Sequence, residues 1–519
     1  MKRNDLLREM ERHPGAWDFV VIGGGATGLG VAIEASSRGY STLLLEQSDF
    51  AKGTSSRSTK LVHGGVRYLR QGNLSLVLEA LKERGLLYQN APHLVRNLPF
   101  VVPAYDWWEG PFYGVGLKLY DTMAGRQGFG HSRRLTREET QEMIPTIEME
   151  GLRGGIVYHD GQFDDARLAV HMAWTAAEQG AAPLNYMRVT GLRKSNGTVR
   201  GVAAVDVESG KSYDIEGRVV VNATGPFSDV VRRMDDPQCP SMIRPSQGVH
   251  IVLKRSFLPG SSAVMVPHTT DGRVLFAIPW HDRVVVGTTD TLIDEASLEP
   301  TPLPEEIDFI LENAARYLTK DPQRSDILSA YAGVRPLVSI EGDQGTASIS
   351  RDHTVSISRS GLVTVAGGKW TTYRRMAEDT VDQAVILAEL PEKESVSRSL
   401  HIHGYLAKAS GLESLSVYGT DAAAIEELIA ESPKLGETIH PAMSALRAEV
   451  VWAARNEMAR TVEDFLARRT RSLLLDAKAS IDMAPEVAEL LAKELQKDQS
   501  WRNRQVEEYA ALAQRYLPR

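Results

Sequence analysis

Asp18-Phe-Val-Val-Ile-Gly23-Gly24-Gly25-Ala-Thr-Gly28-Leu-Gly30 decides the fold. The apolar run predicts a strand, the G-x-G-x-x-G spacing at Gly23, Gly25 and Gly28 predicts the turn that leaves it, and a helix should begin there. A second apolar run ends in Leu43-Leu-Leu-Glu46, which delivers a carboxylate about twenty residues further on. Gly23 lets the chain turn sharply, Gly25 lets the backbone approach a pyrophosphate, and Gly28 lets helix and strand pack closely. The helix start offers unpaired N–H groups and the positive end of its dipole to a diphosphate. Glu46 is placed to accept hydrogen bonds from a ribose 2′-hydroxyl. Together these features predict a dinucleotide-binding unit.

The rest of the chain sets bounds on what such a unit serves. At 519 residues it exceeds one compact core, so two or three domains are expected. A formal net charge of -8 excludes the broad basic footprint of nonspecific nucleic-acid binding, and any anion site must be local. The single cysteine, Cys239, excludes an intrachain disulfide and fits a reducing, cytoplasmic compartment. There is no run of about eighteen apolar residues, and the polar start Lys2-Arg3-Asn4-Asp5 has no secretory signal character. Two segments suit peripheral membrane attachment: Leu6, Leu7 and Met10 among Arg3, Arg8 and Arg12, and the aromatic stretch from Trp107-Trp108 through Phe112-Tyr113 to Tyr120. The competing reading folds the leucines back on the domain and puts the aromatics in a core or pocket.

Beyond Glu46, the loop Gly53-Thr54-Ser55-Ser56-Arg57-Ser58-Thr59-Lys60 is small and hydroxyl-rich, suited to phosphate and polyol oxygens, and continues the cofactor site. Residues 74–98 read as an amphipathic helix ending near Pro92, with Leu78, Leu81 and Leu86 inward. Asp164-Asp165-Ala-Arg167-Leu168 opens another helix with acidic residues in its first turn. Strands at 187–192, 199–207 and 218–221 lead to Asn222-Ala-Thr-Gly225-Pro-Phe227, a turn that sets backbone N–H groups at the carboxyl edge of a sheet. From 244 to 338 the pattern changes to short alternating strands, including 250–253, 274–278 and 284–287, as in an antiparallel sheet covering a ligand. Strand meeting helix returns in Leu362-Val-Thr-Val-Ala-Gly367-Gly368-Lys369-Trp370-Thr371-Thr372-Tyr373-Arg374, so the first domain is discontinuous. The expected division is 14–95, 150–240 and 340–395 for the cofactor, 96–149 and 241–339 for the substrate, and 400–519 as a separate helical domain. Within the last, Leu446, Val450, Ala454, Met458, Val462 and Phe465 recur at helical spacing and read as core.

These motifs together resemble the FAD-dependent glycerol-3-phosphate dehydrogenases over residues 17–377, and more weakly to the end. The resemblance is carried by Gly23-Gly24-Gly25, Thr54-Ser55-Ser56, Lys60-Leu-Val-His63-Gly64-Gly65-Val-Arg67-Tyr68-Leu69, Asp164-Asp165-Ala-Arg167-Leu168 and Asn222-Ala-Thr-Gly225-Pro226. Ile278-Pro-Trp280, Gly287-Thr-Thr-Asp290, Gly333-Val-Arg335-Pro336-Leu337, Arg351-Asp352 and Gly367-Gly368-Lys369 follow in the same order. It implies an α/β fold: a Rossmann-like FAD-binding domain of the glutathione-reductase or D-amino-acid-oxidase type, an inserted antiparallel β substrate domain, and a C-terminal all-α domain. It further implies FAD, sn-glycerol 3-phosphate as substrate, dihydroxyacetone phosphate as product, and a respiratory quinone as acceptor; the two attachment segments add the expectation of peripheral placement on the inner face of the cytoplasmic membrane. A homodimer is left open. Oxygen-using relatives carry extra sequence that this chain lacks. An amine or hydroxy-acid oxidase of the same fold, marked by a carboxylate clamp, and a non-catalytic FAD-binding protein are the alternatives.

Oxidising a secondary alcohol with a flavin needs a hydride aimed at the ring, a base for the hydroxyl proton and an anchor for the substrate. The resemblance assigns phosphate binding to Arg335 and Arg351 and puts Lys369 at the same pocket. His250, on a short strand, is the favoured base, with His63 competing. The resemblance also puts Arg67 and Tyr68 beside the reacting carbon, where a guanidinium would stabilise a developing alkoxide. The cofactor set is Gly23, Gly25, Gly28, Glu46, Thr54, Ser55, Ser56, His63, Gly64, Gly225, Gly368, Thr371 and Thr372. No metal is indicated, since His, Cys, Asp and Glu show no ligand spacing.

Overall fold

The strand Trp17–Ile22 runs parallel between Ser212–Asn222 and Thr42–Leu45, at the centre of an eight-stranded sheet. The structure is a computed structural model that describes residues 1–65, 74–106, 109–125, 128–339, 352–407 and 413–518. Outward from the centre lie Leu362–Gly367 and the antiparallel edge strand His353–Ile357 on one side, and Ala181–Leu184 on the other. Phe19, Val20, Val21, Leu43 and Leu44 are wholly buried, as a parallel sheet covered on both faces requires. The helix Ala26–Ser37 packs between the helices Asp165–Glu178 and Tyr373–Leu387. Gly30 permits the second contact, since a Cβ there would lie 2.9 Å from the Tyr373 ring. A three-stranded meander of Met187–Ser195, Thr198–Asp206 and Ser212–Asn222 extends this unit.

A second, ten-stranded sheet is antiparallel except where Ala263–Val266 runs parallel to Val95–Ala104. Its spine is the long pair Ile243–Lys254 and Ile327–Val338, with Leu275–Trp280 and Arg283–Gly287 alongside. Val95–Ala104 and Gly154–Phe163 also pair along their full length in this sheet. The sequence reading found neither, because Val95–Ala104 carries Pro99 and Pro103 and buries residues on both faces, so it lacks the period-two signal of a strand.

The helix Leu74–Asn90 forms, but its inward face differs from the expected one. Leu81 is buried, Leu86 half-buried and Leu78 49 % exposed. The buried face runs through Val77, Ala80, Leu81, Arg84 and Leu87, because Arg84 turns inward to meet Asp160 at 2.7 Å. The N-terminal helix Arg3–Arg12 folds back: Leu6 and Met10 join the core of the parallel-sheet unit, and Arg3 pairs with Asp206 at 2.7 Å. Trp107 and Trp108 lie outside the described residues.

In the C-terminal region the apolar stripe does not follow one helix. Arg447–Asn456 ends before Met458, whose φ of 56° breaks it, and a π-helical turn covers Asp464–Arg469. Val450, Val462 and Phe465 nonetheless share a single core with Val252, Trp280, Val285 and Tyr331 of the second sheet. The helical region is thus a layer on that sheet. Buried ion pairs tie it to the cofactor unit as well: Arg469 and Arg468 to Asp49 at 2.8 and 2.5 Å, and Arg167 to Glu457 at 2.7 Å. Such pairs contribute orientation more than net stability, since each ion gives up its hydration.

Candidate active site

At the carboxyl edge of the parallel sheet lies a cavity of about 510 Å³ lined by Gly23, Gly25, Glu46, Thr54, Ser55, Gly225 and Gly368. Glycine stands in and beneath its wall at points where a Cβ would collide. A Cβ on Gly28 would stand 1.9 Å from the Gly23 carbonyl oxygen, and one on Gly23, whose φ is 109°, would stand 2.7 Å from the Ala223 carbonyl oxygen. The Ala26 N–H donates to Ser55 Oγ at 2.9 Å, which ties the hydroxyl-rich loop to the helix start. Glu46 accepts from the Gly24 and Ser48 N–H groups at 2.7 and 2.8 Å. Burial pushes its carboxyl above the usual range against those two bonds. From 315 residues further along, Trp370 Nε1 donates to the Ser55 carbonyl at 2.8 Å, and Trp370 and Ser55 both line the cavity. A glycine cradle beneath a helix N-terminus, with a carboxylate at the end of the next strand, fits the diphosphate and ribose of a dinucleotide.

A second cavity of about 250 Å³ adjoins the first, and Thr54, Gly368, Lys369 and Trp370 line both. His250, Arg335, His63, Arg57, Thr59 and Thr371 complete its wall. His250 and Arg335 come from the paired strands Ile243–Lys254 and Ile327–Val338, in the register that sets His250 opposite Tyr331 and Ser246 opposite Arg335. The His250 ring is 2 % exposed, stacks on Tyr331 with centroids 5.0 Å apart, and brings Nε2 within 2.9 Å of Thr59 Oγ1. On another side stands Gly287, where a Cβ would be 2.4 Å from His250 Cδ2. Burial first, then the charges of Arg335 and Lys60, holds the imidazole well below its ordinary pKa, so it is neutral at neutral pH. The Arg335 guanidinium lies over Gly248, where a Cβ would be 2.4 Å from Nη2, and donates to Thr288 Oγ1 at 3.1 Å. Asp290, 3.4 Å away, accepts in turn from Ser246.

The structure brings most of the expected residues to these two cavities. Gly28, Ser56, Gly64 and Thr372 stand just outside the linings. Gly28 serves the close helix packing, and the Ser56 carbonyl accepts from Lys60 Nζ at 2.7 Å. The Gly64 N–H donates to the Tyr120 hydroxyl at 2.8 Å, and the Thr372 hydroxyl donates to the Lys369 carbonyl at 3.3 Å. Arg67, Tyr68 and Arg351 lie outside the described residues. Sequence reasoning missed Thr59, although it lies in the loop already singled out, and it missed the purpose of Asp164-Asp165-Ala-Arg167. Asp165 meets Lys60 Nζ and Ser58 Oγ, each at 2.7 Å, while Asp164 pairs with Arg471 at 2.8 Å. That motif therefore pins the hydroxyl-rich loop on one side and the helical layer on the other.

Comparison with known proteins places the chain in a family. A family model described as FAD dependent oxidoreductase matches residues 18–374, and the class of protein that the fold and the paired cavities define is that one. A second model, the C-terminal domain of alpha-glycerophosphate oxidase, matches residues 363–502. The human mitochondrial glycerol-3-phosphate dehydrogenase is 42 % identical over 96 % of this chain and 73 % of its own length. A mitochondrial glycerol-3-phosphate dehydrogenase of Arabidopsis thaliana is 43 % identical over 93 % of this chain and 84 % of its own. The solved glycerol-3-phosphate dehydrogenase from Bacillus halodurans, complexed with FAD, superposes with a TM-score of 0.80 at 29 % identity, covering 99 % of this chain and 97 % of that one. The chain belongs to the FAD-dependent glycerol-3-phosphate dehydrogenase family: an FAD-binding α/β fold with a C-terminal helical domain, and FAD as its cofactor.

Proposed function

We propose that this protein oxidises sn-glycerol 3-phosphate to dihydroxyacetone phosphate and passes the electrons to a respiratory quinone. FAD, when bound, supplies the acceptor for the hydride leaving C2. The observation that carries the reading is the shared wall: a small cavity lined by an imidazole and a guanidinium has Gly368 and Lys369 in common with the dinucleotide cavity. Arg335 and Lys369, with Arg351, grip the phosphate dianion, and each charge-assisted contact contributes about 1.5 to 3 kcal/mol. His250 takes the C2 hydroxyl proton at Nε2, with His63 the second candidate. Arg67 and Tyr68 hold the oxygen that becomes the ketone. Gly23, Gly25, Glu46, Thr54, Ser55, Gly225 and Gly368 contact FAD, while Gly28, Ser56, His63, Gly64, Thr371 and Thr372 shape its surroundings. In this reading residues 14–95, 150–240 and 340–395 hold the cofactor, 96–149 and 241–339 cover the substrate, and 400–519 brace both. Among the described residues no helix is long and apolar enough to cross a membrane. Peripheral attachment at the inner face of the cytoplasmic membrane is part of the proposal, tested by sedimentation with liposomes. A homodimer is tested by light scattering.

The deciding experiment is anaerobic mixing of the FAD-loaded protein with glycerol 3-phosphate, lactate or glycine while the flavin absorbance is followed. The phosphate ester alone should bleach it, and reoxidation should be faster with a soluble quinone than with oxygen. Bleaching by lactate or glycine in place of the ester overturns the substrate. His250→Ala should bind substrate and yet reduce the flavin about 10² to 10⁴ times more slowly.

A further inference from the structure

His250 has two ring nitrogens, and the fold leaves one of them a route to the cavity. Nδ1 is buried and has no hydrogen-bond partner among the described residues. Nε2 faces Thr59 Oγ1 at 2.9 Å. The ring is stacked on Tyr331 and lies close against Gly287, where a Cβ would stand 2.4 Å from Cδ2. Thr59 is pinned as well. Its neighbour Ser58 is bonded to Asp165 through both N–H and hydroxyl, Lys60 is bonded to Asp165, and the Tyr331 hydroxyl donates to the Ser58 carbonyl at 3.1 Å. Among the described residues the Thr59 hydroxyl bonds only His250, and Thr59 lines the substrate cavity. A hydroxyl has one proton to give and two lone pairs, so while it donates to Nε2 it can still accept from a group in the cavity.

We propose that Thr59 is a proton relay between the C2 hydroxyl of the substrate and His250. The inference rests on the reading of His250 as base. As the C2–H bond gives up its hydride to FAD, the substrate O–H proton passes to Thr59 Oγ1 and the Thr59 proton passes to His250 Nε2. The alcohol becomes a ketone, FAD is reduced by two electrons, His250 gains one proton, and Thr59 ends as it began.

The test uses the FAD-loaded protein in anaerobic rapid mixing. Thr59→Val keeps the shape and removes the hydroxyl, and it should slow flavin reduction about 100-fold or more, with the substrate dissociation constant changed by less than about threefold. Thr59→Ser restores the hydroxyl and should reduce flavin within about fivefold of the parent. In ¹⁵N-histidine spectra the Nε2 resonance of His250 should move in Thr59→Val and hold in Thr59→Ser. Reduction at the parent rate in Thr59→Val, or equal slowing in both variants, overturns the relay. If His250→Ala is slow while Thr59→Val is fast, the relay falls and the base stands. If His250→Ala is fast, the base falls and the relay with it.

Discussion

The two cavities that meet at Lys369 are made of different material. The cavity at the edge of the parallel sheet is walled largely by backbone, with Gly23, Gly367 and Gly368 where a Cβ would collide, and with N–H groups and a carboxylate beside them. The adjoining cavity, proposed for the substrate, is walled largely by side chains, several with charge or titratable groups, from segments far apart in the chain. A diphosphate can be recognised by main-chain donors that every residue possesses, so its site depends on the absence of side chains. A small phosphate ester needs cations and a base at set positions, so its site depends on side chains being present and held.

Variants can separate the two. The largest effect is expected from Gly28→Val, which drives a side chain into the Gly23 carbonyl oxygen 1.9 Å from where its Cβ must sit. It should yield protein without flavin, read as the flavin-to-protein absorbance ratio, whereas Gly191→Ala, outside both cavities and with nothing within 4 Å of the added Cβ, should keep full occupancy. Next is the loop that serves both cavities. Asp165→Ala leaves Lys60 wholly buried without its counter-ion and should cost about 3 to 5 kcal/mol in urea unfolding, with both cavities loosened. Arg335→Ala should act on the substrate cavity alone, raising KM by about 10- to 150-fold, the equivalent of about 1.5 to 3 kcal/mol, at unchanged flavin content. A parallel loss of flavin would show that the two cavities are not independent.

The smallest effect lies away from both. His403 is desolvated, which opposes its charge, but Asp421 and Glu178 hold the imidazolium and raise its pKa to about 9. A folded-state pKa above the unfolded value gives stability that is complete below about pH 6.5 and is lost as pH rises through about 9. Because Glu178 is half exposed, solvent screening reduces the amount to about 1 to 2 kcal/mol. Unfolding curves between those two pH values should show this slope in the parent and a flatter one in His403→Gln.

How much could be read beforehand follows the same division. Gly23, Gly25, Gly28 and Glu46 lie within one strand, turn, helix and strand, so the geometry that needs them is local. Helix and strand patterns failed where a tertiary partner overrode the period. Arg84 turned a helix face toward Asp160 and left Leu78 in solvent, and the left-handed backbone at Met458 divided a stripe that looked like one helix. Thr59 was in view as a hydroxyl in a polar loop, but its partner His250 is 191 residues away.

The chain by itself determined the cofactor class, the interrupted nucleotide unit and the basic residues suited to a phosphate, because steric need for glycine, strand-to-helix turns and side-chain chemistry are properties of short segments. Tertiary structure alone decided which imidazole nitrogen meets a hydroxyl, which hydroxyl that is, and that the helical layer shares its core with the second sheet. Those outcomes depend on strand register and on the packing of segments hundreds of residues apart, and no local preference carries that information.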